Sequence, residues 1–499
     1  MAQTIRITAT DGSIVEFVDE MIGQGGMKDV YFSPDKSYVV AFFRDKQNAF
    51  AKDRLLTITG VYYDRVFNSA GGDYWRDLYC WPNKVVEYQG KLGVVAPTYP
   101  KHFFFKIGSR NNDFLNIKGK EKEGKWFASA FHQNKNLDPY EKGDWFKYFI
   151  VCLNISRAVR RMHSAGLAHS DLSYKNVLID PTSGRAAIID IDGLVVPGKY
   201  PPDVIGTPDF IAPEVMATKG LKLDDKARKL PSIRTDRHAL AVMIYMYLLR
   251  RHPLRGGKIY AQDPEKDEEL GMGKQALFVE HPTDKSNRPN LNDTKPSYLP
   301  WADVQKVPYE IVGPYLKPLF DKAFVDGLHS PELRPTADEW ENALIKSIDL
   351  MQPCQNSSCE MKWYVFGNST KPKCPFCGTP YRGQLPILNL YAKNPQGKFT
   401  PENSRLMVYN NQYIYKWHLS KRVIPNERIT AEEKKPVGYF SFHNGSWVLV
   451  NQNIPDLEDI IEKKPIPIGQ MLVLKDNQQI LLSKEEGGRL CVIQIVDNQ

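Results

Sequence analysis

The segment His169-Ser-Asp-Leu-Ser-Tyr-Lys-Asn176 decides how the rest of the chain is interpreted. It places an acid, Asp171, five residues before an amide, Asn176. In phosphoryl transfer an Asp in this position orients a hydroxyl group and accepts its proton, while the Asn binds a metal ion beside it. Lys175 lies in the same loop and is a further candidate catalytic residue. The octapeptide alone is a modest indication of phosphoryl transfer. The interpretation therefore depends on the segments before and after it.

A second acidic segment, Asp190-Ile-Asp-Gly193, follows the apolar strand predicted for residues 186–189. A carboxylate 19 residues after Asp171 would face Asn176 across a Mg²⁺ ion, which prefers oxygen ligands. Both acids of this segment are candidate Mg²⁺ ligands. Asp190 is preferred over Asp192 because it directly follows the strand.

The N-terminal 45 residues alternate apolar and polar positions around a glycine cluster, which predicts a strand–turn–strand ribbon. Glycines let the backbone approach phosphate oxygens, and the candidate phosphate-binding residues here are Gly23, Gly25 and Gly26. The next strand carries Phe43 where a Val-Ala-x-Lys pattern requires lysine. Lys28 is the predicted substitute; the alternative is that Lys28 is merely exposed and the nucleotide site is defective.

Other parts of the nucleotide site are predicted from the same region. Ala41 lies on the strand that ends at Phe43, and Thr98 and Tyr99 belong to a hinge expected to lie against a purine base. Residues 46–67 are predicted to be helical but contain no Glu to pair with a phosphate-binding lysine. Two helical acids, Asp53 and Asp64, remain open as partners for Lys28.

The order of these motifs resembles that of a eukaryotic-like protein kinase over residues 10–350. The segments that carry the resemblance are Gly23-x-Gly25-x-x-Lys28, His169-x-Asp171-x4-Asn176, Asp190–Gly193, Gly206-Thr-Pro-Asp-Phe-Ile-Ala-Pro-Glu214, Asp236 and Arg334-Pro-Thr336. The resemblance implies a two-lobed α+β fold with ATP in the cleft. It implies that Asp171 is the catalytic base and that Asn176 and Asp190 bind Mg²⁺.

The resemblance also implies two structural contacts in the large lobe. Glu214 and Arg334 would form a buried ion pair, and Asp236 would begin a long apolar helix and brace the catalytic loop. A lysine in the glycine loop is similar to that of the "with no lysine" kinases. Together with the C-terminal modules, the chain resembles bacterial kinases of the phosphatase–kinase–von Willebrand triads associated with tellurite resistance. This implies a protein substrate, a phosphatase partner and a partner with a von Willebrand-type domain.

Departures from the kinase pattern affect regulation and specificity. Ser170 replaces the arginine that reads a loop phosphate, and only Tyr200 and Thr207 carry hydroxyls between Asp190 and Ala212. We therefore expect activity without loop phosphorylation, and we expect both hydroxyls to be dispensable. Lys175 lies where tyrosine kinases have arginine, but the segment 206–214 has the Ser/Thr form, so Ser/Thr kinase activity is favoured.

Four cysteines form two pairs 14 residues apart, a spacing that can close a tetrahedral thiolate shell. Zinc is the predicted metal and its role is structural, with iron as the alternative; the predicted ligands are Cys354, Cys359, Cys374 and Cys377. Beyond them, alternating runs predict strands at 406–409, 412–417, 437–442, 446–450, 470–474, 479–482 and 491–496.

The predicted domains are a kinase-like domain at 1–350, a zinc ribbon at 351–384 and an all-β sandwich at 385–499. The kinase-like domain divides into a small lobe at 1–100 and a large lobe at 101–350, with an insert at 221–330. The end of the sandwich faintly resembles a forkhead-associated domain, but it lacks that domain's Ser-x-x-His motif and its glycine–arginine start.

Composition limits the remaining possibilities. The chain is 42% hydrophobic and 25% charged, as in globular proteins, and its net charge of +8 is spread along its length. The longest apolar run, residues 239–249, is too short to span a bilayer and predicts a buried helix. Without a secretory signal, the sequence predicts a cytoplasmic protein that has no membrane partner, and nucleic acid is disfavoured as a partner.

Two rival functions remain open. The absence of the pattern's lysine at position 43 and of its arginine at position 170 favours a nucleotide-binding pseudokinase scaffold. Lysines and aromatic residues near the cysteines hint at nucleic-acid binding by the ribbon. The retained Asp171, Asn176 and Asp190 favour the enzyme.

Overall fold

The computed structural model describes residues 3–24, 27–68, 71–196, 199–200, 206–222 and 224–498. Two compact units can be distinguished. The first comprises Met1–Gly143, Lys147–Tyr309 and Pro318–Glu341, and the second comprises Asp144–Phe146, Glu310–Lys317 and Asn342–Gln499.

An antiparallel sheet forms the N-terminal part of the first unit. Its strand order is β3-β4-β5-β7-β6, and a separate hairpin of β1 and β2 precedes it. The strand bounds are β1 Thr4–Thr8, β2 Ile14–Val18, β3 Met21–Gln24, β4 Lys28–Phe32, β5 Tyr38–Phe43, β6 Lys84–Tyr88 and β7 Lys91–Pro97. Alternate apolar residues of the hairpin and the sheet share one core around Phe17 and Phe42. The predicted ribbon and the strand that ends at Phe43 are confirmed.

The helices up to residue 349 are α1 Ala49–Thr57, α2 Tyr63–Phe67, α3 Gly72–Arg76, α4 Trp145–Ser164, α5 Pro213–Met216, α6 Ile233–Leu249, α7 Pro264–Met272, α8 Lys317–Asp321 and α9 Ala337–Asp349. Asn48 caps α1 by accepting a hydrogen bond from the amide of Ala51 at 2.8 Å. A π-helical turn, Ile58–Tyr62, joins α1 to α2. The helical run predicted for residues 46–67 therefore spans residues 49–67.

Helix α6 forms the centre of the first unit. Every residue from Ala239 to Leu249 is less than 9% exposed, and a helix that is apolar on all sides is buried on all sides. Ser232 and Thr235 form a capping box at its start. Among the described residues, no helix combines the length and hydropathy that crossing a bilayer requires.

The expected ion pair between Glu214 and Arg334 is present. Two guanidinium nitrogens of Arg334 donate to the two carboxylate oxygens of Glu214 at 2.8 and 2.7 Å. Arg334 also donates to the carbonyl oxygens of Gly327 and Leu328, and it is only 1% exposed. This bidentate geometry fixes the start of α5 against the segment before α9.

Residues 101–143, which show no clear sequence pattern, are organised around a buried lysine. The ammonium of Lys122 lies 2.9 Å from Glu141 and 3.0 Å from Asp180. Glu141 also accepts from the amides of Lys106 and Ile107 at 2.6 Å. Asp180 belongs to a hairpin of β8 and β9, whose bounds are Val177–Asp180 and Arg185–Ile188. The lysine thus ties this irregular segment to the hairpin.

The second unit contains a short hairpin and two larger antiparallel sheets with strand orders β13-β12-β21-β20-β17-β18 and β14-β15-β16-β19. The strand bounds are β10 Met351–Pro353, β11 Trp363–Val365, β12 Gly383–Lys393, β13 Phe399–Met407, β14 Tyr413–Ile414, β15 Gly438–His443, β16 Ser446–Asn451, β17 Glu458–Asp459, β18 Lys464–Pro465, β19 Met471–Val473, β20 Gln479–Leu481 and β21 Arg489–Asn498. Side chains from both large sheets form one core, including Leu388, Leu406, Cys491, Phe440, Leu449 and Leu472.

Several predicted strands of this unit are confirmed, and one is wrong in part. Asn444 and Gly445 both have positive φ and connect β15 to β16, as the Asn-Gly turn predicts. The strand predicted for 412–417 ends at Ile414, because Lys416–Leu419 forms a helical turn, α10. Strand β12, eleven residues long, was not among the predicted strands.

Replacing Lys122 with Met should destabilise the first unit by about 3–5 kcal/mol, because two buried carboxylates lose their shared cation. Urea denaturation followed by circular dichroism measures the change. Lys120→Met is the matched control: this exposed lysine lies two residues earlier, and its loss should cost no more than about 0.5 kcal/mol. Equal stability of both variants would contradict a structural role for the buried cluster.

Candidate active site

The predicted catalytic pair is held together by direct hydrogen bonds. The side-chain amide of Asn176 donates to the backbone oxygen of Asp171 at 2.8 Å and to its Oδ2 at 3.0 Å. The backbone amide of Thr207 donates to Oδ1 of Asp171 at 2.6 Å. Both carboxylate oxygens are therefore fixed, and a carboxylate held this way can accept a proton from a hydroxyl at a defined position.

The loop 169–176 is supported from the first turn of α6, as expected for Asp236. Oδ2 of Asp236 accepts from the amide of His169 at 2.7 Å and lies 3.1 Å from Nε2 of His163. The ring of His169 contacts the carbonyl oxygen of Ile189 at 2.9 Å. Since Ile189 directly precedes Asp190, this contact sets the acidic segment 190–193 beside the loop.

The ammonium of Lys28 forms ion pairs with both acids of the segment 190–193. It is 2.6 and 2.7 Å from the two carboxylate oxygens of Asp192 and 3.1 Å from Oδ1 of Asp190. Burial opposes the charge of Lys28, but the two carboxylates outweigh burial and raise the pKa of the ammonium above its ordinary value. Lys28 is therefore a paired cation in the cleft and not a freely exposed lysine.

Strand pairing places Lys28 directly beside the position where the kinase pattern has lysine. Lys28 and Phe43 are direct cross-strand partners, and the ammonium lies 5.2 Å from the centre of the Phe43 ring. Side chains of directly opposed residues point to the same face of a sheet. The aromatic ring thus occupies the position expected for lysine, and the ammonium reaches the same face from the neighbouring strand.

The two acids of the segment differ in exposure. The side chain of Asp190 is 50% exposed, whereas that of Asp192 is 8% exposed. Asp190 adopts a left-handed conformation with φ of 59°. Burial opposes its charge, but the nearby Lys28 and His169 lower the pKa of the Asp190 carboxyl. Asp190 is thus an accessible carboxylate, and Asp192 is the closer, buried partner of Lys28.

Neither of the two helical acids, Asp53 and Asp64, is the acidic partner of Lys28. Asp53 accepts a hydrogen bond from the hydroxyl of Tyr200, and Asp64 accepts one from Asn68 at 2.7 Å. The partner of Lys28 comes instead from the acidic segment. Sequence reasoning considered Asp192 only as a metal ligand and looked to the helix for the lysine partner.

The remaining predicted nucleotide-site residues are placed as follows. Gly23 lies on β3, with no atom within 4 Å of the position where a Cβ would be, while Gly25 and Gly26 fall outside the described residues. Ala41 is 9% exposed on β5. The hydroxyl of Thr98 donates to the carbonyl oxygen of Lys36 at 2.8 Å, so it is bound to the turn before β5.

Tyr99 and Lys175 have contrasting surroundings. Tyr99, like Ile189, packs against a buried cluster that includes Leu178 and Ala187, and burial raises the pKa of the Tyr99 phenol. Lys175 is exposed, and its backbone amide donates to the hydroxyl of Ser173 at 3.3 Å. The structure therefore brings Tyr99 to the hairpin beside Asp190, whereas the side chain of Lys175 is directed to solvent.

The four clustered cysteines converge in the second unit. Their sulfur atoms all lie within 4.8 Å of one another, with 3.5 Å between Cys354 and Cys377 and 3.8 Å between Cys359 and Cys374. A tetrahedral zinc ion with Zn–S bonds of about 2.3 Å separates its sulfurs by about 3.8 Å. The thiols therefore fit such an ion. Burial raises the pKa of the Cys354 thiol to about 11, and a bound cation would oppose that effect by favouring the thiolate.

Comparisons with known proteins agree with this geometry. Residues 132–302 match the family described as the protein kinase domain. A segment of 124 residues, 24% of this chain, is 32% identical to death-associated protein kinase dapk-1 of Caenorhabditis elegans and covers 8% of that protein. Segments of 73 and 69 residues, 15% and 14% of the chain, are 32% and 35% identical to the dual serine/threonine and tyrosine protein kinases of Apis mellifera and Homo sapiens.

These similarities are local. The matched segments cover 7% of the bee and human relatives, so less than a tenth of each of the three proteins is represented. The family match begins after the N-terminal sheet and includes the loop 169–176, the acidic segment 190–193 and α6. The chain therefore contains a protein kinase domain.

Proposed function

We propose that this protein is an ATP- and Mg²⁺-dependent kinase that transfers the γ-phosphoryl group to a Ser or Thr hydroxyl of a protein substrate. One observation carries the proposal: Lys28, from the glycine ribbon, lies on Asp190 and Asp192. Phosphoryl transfer depends on positioning and charge neutralisation more than on covalent chemistry by the protein. A paired lysine beside an exposed carboxylate and a fixed base meets that requirement.

Each residue has a distinct role in the proposal. Asp171, held by Asn176 and Thr207, orients the substrate hydroxyl and accepts its proton. Asn176 and Asp190 hold Mg²⁺; the side-chain oxygen of Asn176 has no protein partner in the described part of the chain. Bound Mg²⁺ neutralises the charge that develops on the phosphate oxygens. Gly23, Gly25 and Gly26 line the phosphates, and Ala41, Thr98 and Tyr99 line the base.

Lys28 and Asp192 act as a unit in this proposal. The lysine binds the phosphates, and Asp192 keeps it charged and aimed into the cleft. Lys175 contributes positive charge at the rim only, because its side chain is exposed. Ser/Thr preference rests on the sequence form of residues 206–214.

A second candidate function is a nucleotide-binding pseudokinase scaffold. The observations in its favour are Phe43 at the usual lysine position and the loss of arginine at position 170. The paired ammonium of Lys28 argues against it, since the cation is supplied from the adjacent strand.

We propose separate roles for the C-terminal modules. A zinc ribbon at 351–384 would be closed by the four cysteine thiolates, and a β-domain at 385–499 would dock protein partners. A phosphatase and a protein with a von Willebrand-type domain are the proposed partners, and phosphopeptide recognition of the forkhead-associated kind stays a prediction. The kinase-like domain is proposed to end near residue 350, and the cytoplasm is the proposed location.

Labelled phosphate transfer from ATP in the presence of Mg²⁺ tests the enzyme directly. With casein or the protein itself as acceptor, Asp171→Asn should lose about 10³-fold in rate because the base is removed. Lys28→Met should lose about 10²-fold because a charge on the phosphates is lost. Wild-type protein that binds ATP without transferring label would favour the scaffold, and a fully active Lys28→Met variant would remove Lys28 from the site.

Substitutions in the acidic segment should separate a metal ligand from a lysine partner. Asp190→Asn should raise the Mg²⁺ concentration needed for half-maximal rate by about 10-fold or more. Asp192→Asn should leave that concentration within about twofold while lowering kcat/KM for ATP about 10-fold, because Lys28 loses its closest partner. Mg²⁺ titrations of both variants provide the measurement, and the opposite pattern would make Asp192 the metal ligand.

Zinc content is tested by native mass spectrometry of the full chain. We expect one zinc ion per chain and its loss in Cys374→Ser, because three thiolates hold the ion less tightly than four. Ser358→Ala is the control, since this exposed serine lies beside the predicted ligand Cys359 but is not itself a predicted ligand. Iron in place of zinc, or full zinc content in Cys374→Ser, would refute the proposed centre.

A further inference from the structure

A tyrosine connects helix α1 to the segment that follows Asp190. Tyr200 is 1% exposed, and its hydroxyl donates a hydrogen bond to Oδ2 of Asp53. The same hydroxyl lies 3.0 Å from Oγ1 of Thr57. Asp53 and Thr57 are four residues apart, so they lie on one face of α1. The phenol thus bridges two successive turns of the helix.

Two neighbouring side chains complete this contact. The rings of Phe50 and Tyr200 meet edge to face with centroids 5.2 Å apart. The ammonium of Lys199 lies 3.6 Å from Asp53 and 4.5 Å from the centre of the Tyr200 ring. The hydrogen bond from Tyr200 is the main cause that lowers the pKa of the Asp53 carboxyl. Polar and aromatic contacts therefore converge on one residue of the segment.

Backbone pairing continues from Tyr200 to the loop 169–176. The amide of Tyr200 donates to the carbonyl oxygen of Val196 at 2.9 Å, and the reverse bond is 3.2 Å. Next to Val196, Val195 exchanges two hydrogen bonds with Ala168, of 2.8 and 3.1 Å. Ala168 immediately precedes His169. An unbroken series of direct contacts thus leads from α1 to the residues around Asp171.

Helix α1 needs such a connection because the phosphate-binding lysine does not provide one. In kinases with a lysine on the third strand, an ion pair to a helical Glu sets the position of that helix. Here Lys28 is bound by Asp192 and Asp190, and α1 carries no acid in contact with it. The position of α1 must therefore be set by other contacts. The ion pair of Lys52 with Glu87 of β6, at 2.6 Å, ties α1 to the sheet, and Tyr200 ties it to the segment that follows Asp190.

We propose that Tyr200 is a positioning residue that holds α1 and the loop 169–176 in their active arrangement without a loop phosphate; its catalytic meaning rests on the proposed kinase function. The contact also changes the expectation that the Tyr200 hydroxyl is dispensable. That hydroxyl is a buried donor with a specific acceptor, so we expect its removal to weaken the contact between Tyr200 and α1. Independence from loop phosphorylation itself stays a prediction.

Steady-state kinetics of the full chain with ATP and casein test the proposal. Tyr200→Phe and Asp53→Ala should each lower kcat about fivefold, with the KM for ATP within about twofold of wild type. The double variant should be no slower than either single variant, because both remove one contact. Asp64→Asn on α2 is the control and should stay within about twofold. Additive losses, or wild-type kcat in Tyr200→Phe, would overturn the proposal.

Hydrogen–deuterium exchange of the same variants gives a readout independent of activity. In Tyr200→Phe, amides of residues 49–57 should exchange about 10-fold faster, while those of α6 should be unchanged. Unchanged exchange in α1 would overturn the positioning role of Tyr200, whatever the kinase activity of the variant. If wild type transfers no phosphate but α1 exchanges faster in Tyr200→Phe, the proposed kinase function is wrong and the contact of Tyr200 with α1 is supported.

Discussion

The attraction between one ammonium and two carboxylates holds the cleft together. Lys28 comes from the N-terminal sheet, and Asp190 and Asp192 follow the β8–β9 hairpin. Without the lysine, two neighbouring acids would repel each other; without the acids, a mostly buried ammonium would lose its charge more readily. The sheet and the hairpin thus depend on each other electrostatically. On binding of a nucleotide with its metal, the phosphates could take the lysine and the metal could take the exposed acid, so that each of these charges would keep a partner of opposite sign.

The sequence motifs predicted some contacts of the candidate site but not others. Asp171 and Asn176 lie in one short loop and share a hydrogen bond, and Asp236 braces that loop through the amide of His169, as the kinase resemblance implies. The partner of Lys28 could not be derived that way. It depends on which strand supplies the lysine and on how close the acidic segment approaches, and both are long-range properties.

The fold shows the same division between local and long-range information. Helix α6 was predictable because an apolar run with a capping box has one stable solution, a buried helix. Residues 101–143 were not, since their organiser is Lys122, a lysine that looks like any surface lysine in the sequence. In the second unit, the Asn444-Gly445 turn was readable, whereas the helical turn α10 interrupts a run with strand periodicity.

Under the proposed kinase function, the position of Lys28 on β4 decides which peptide carries the amine nearest the bound phosphates. Nucleotide acyl phosphates acylate the amine nearest the bound phosphates. In a chain with lysine on the third strand, the labelled peptide would come from β5. Here Tyr38–Phe43 contains no lysine, and the amine beside the acidic segment belongs to the first residue of β4. If the proposed function holds, a nucleotide-dependent label would therefore lie in the glycine ribbon, and searches restricted to third-strand peptides would miss it.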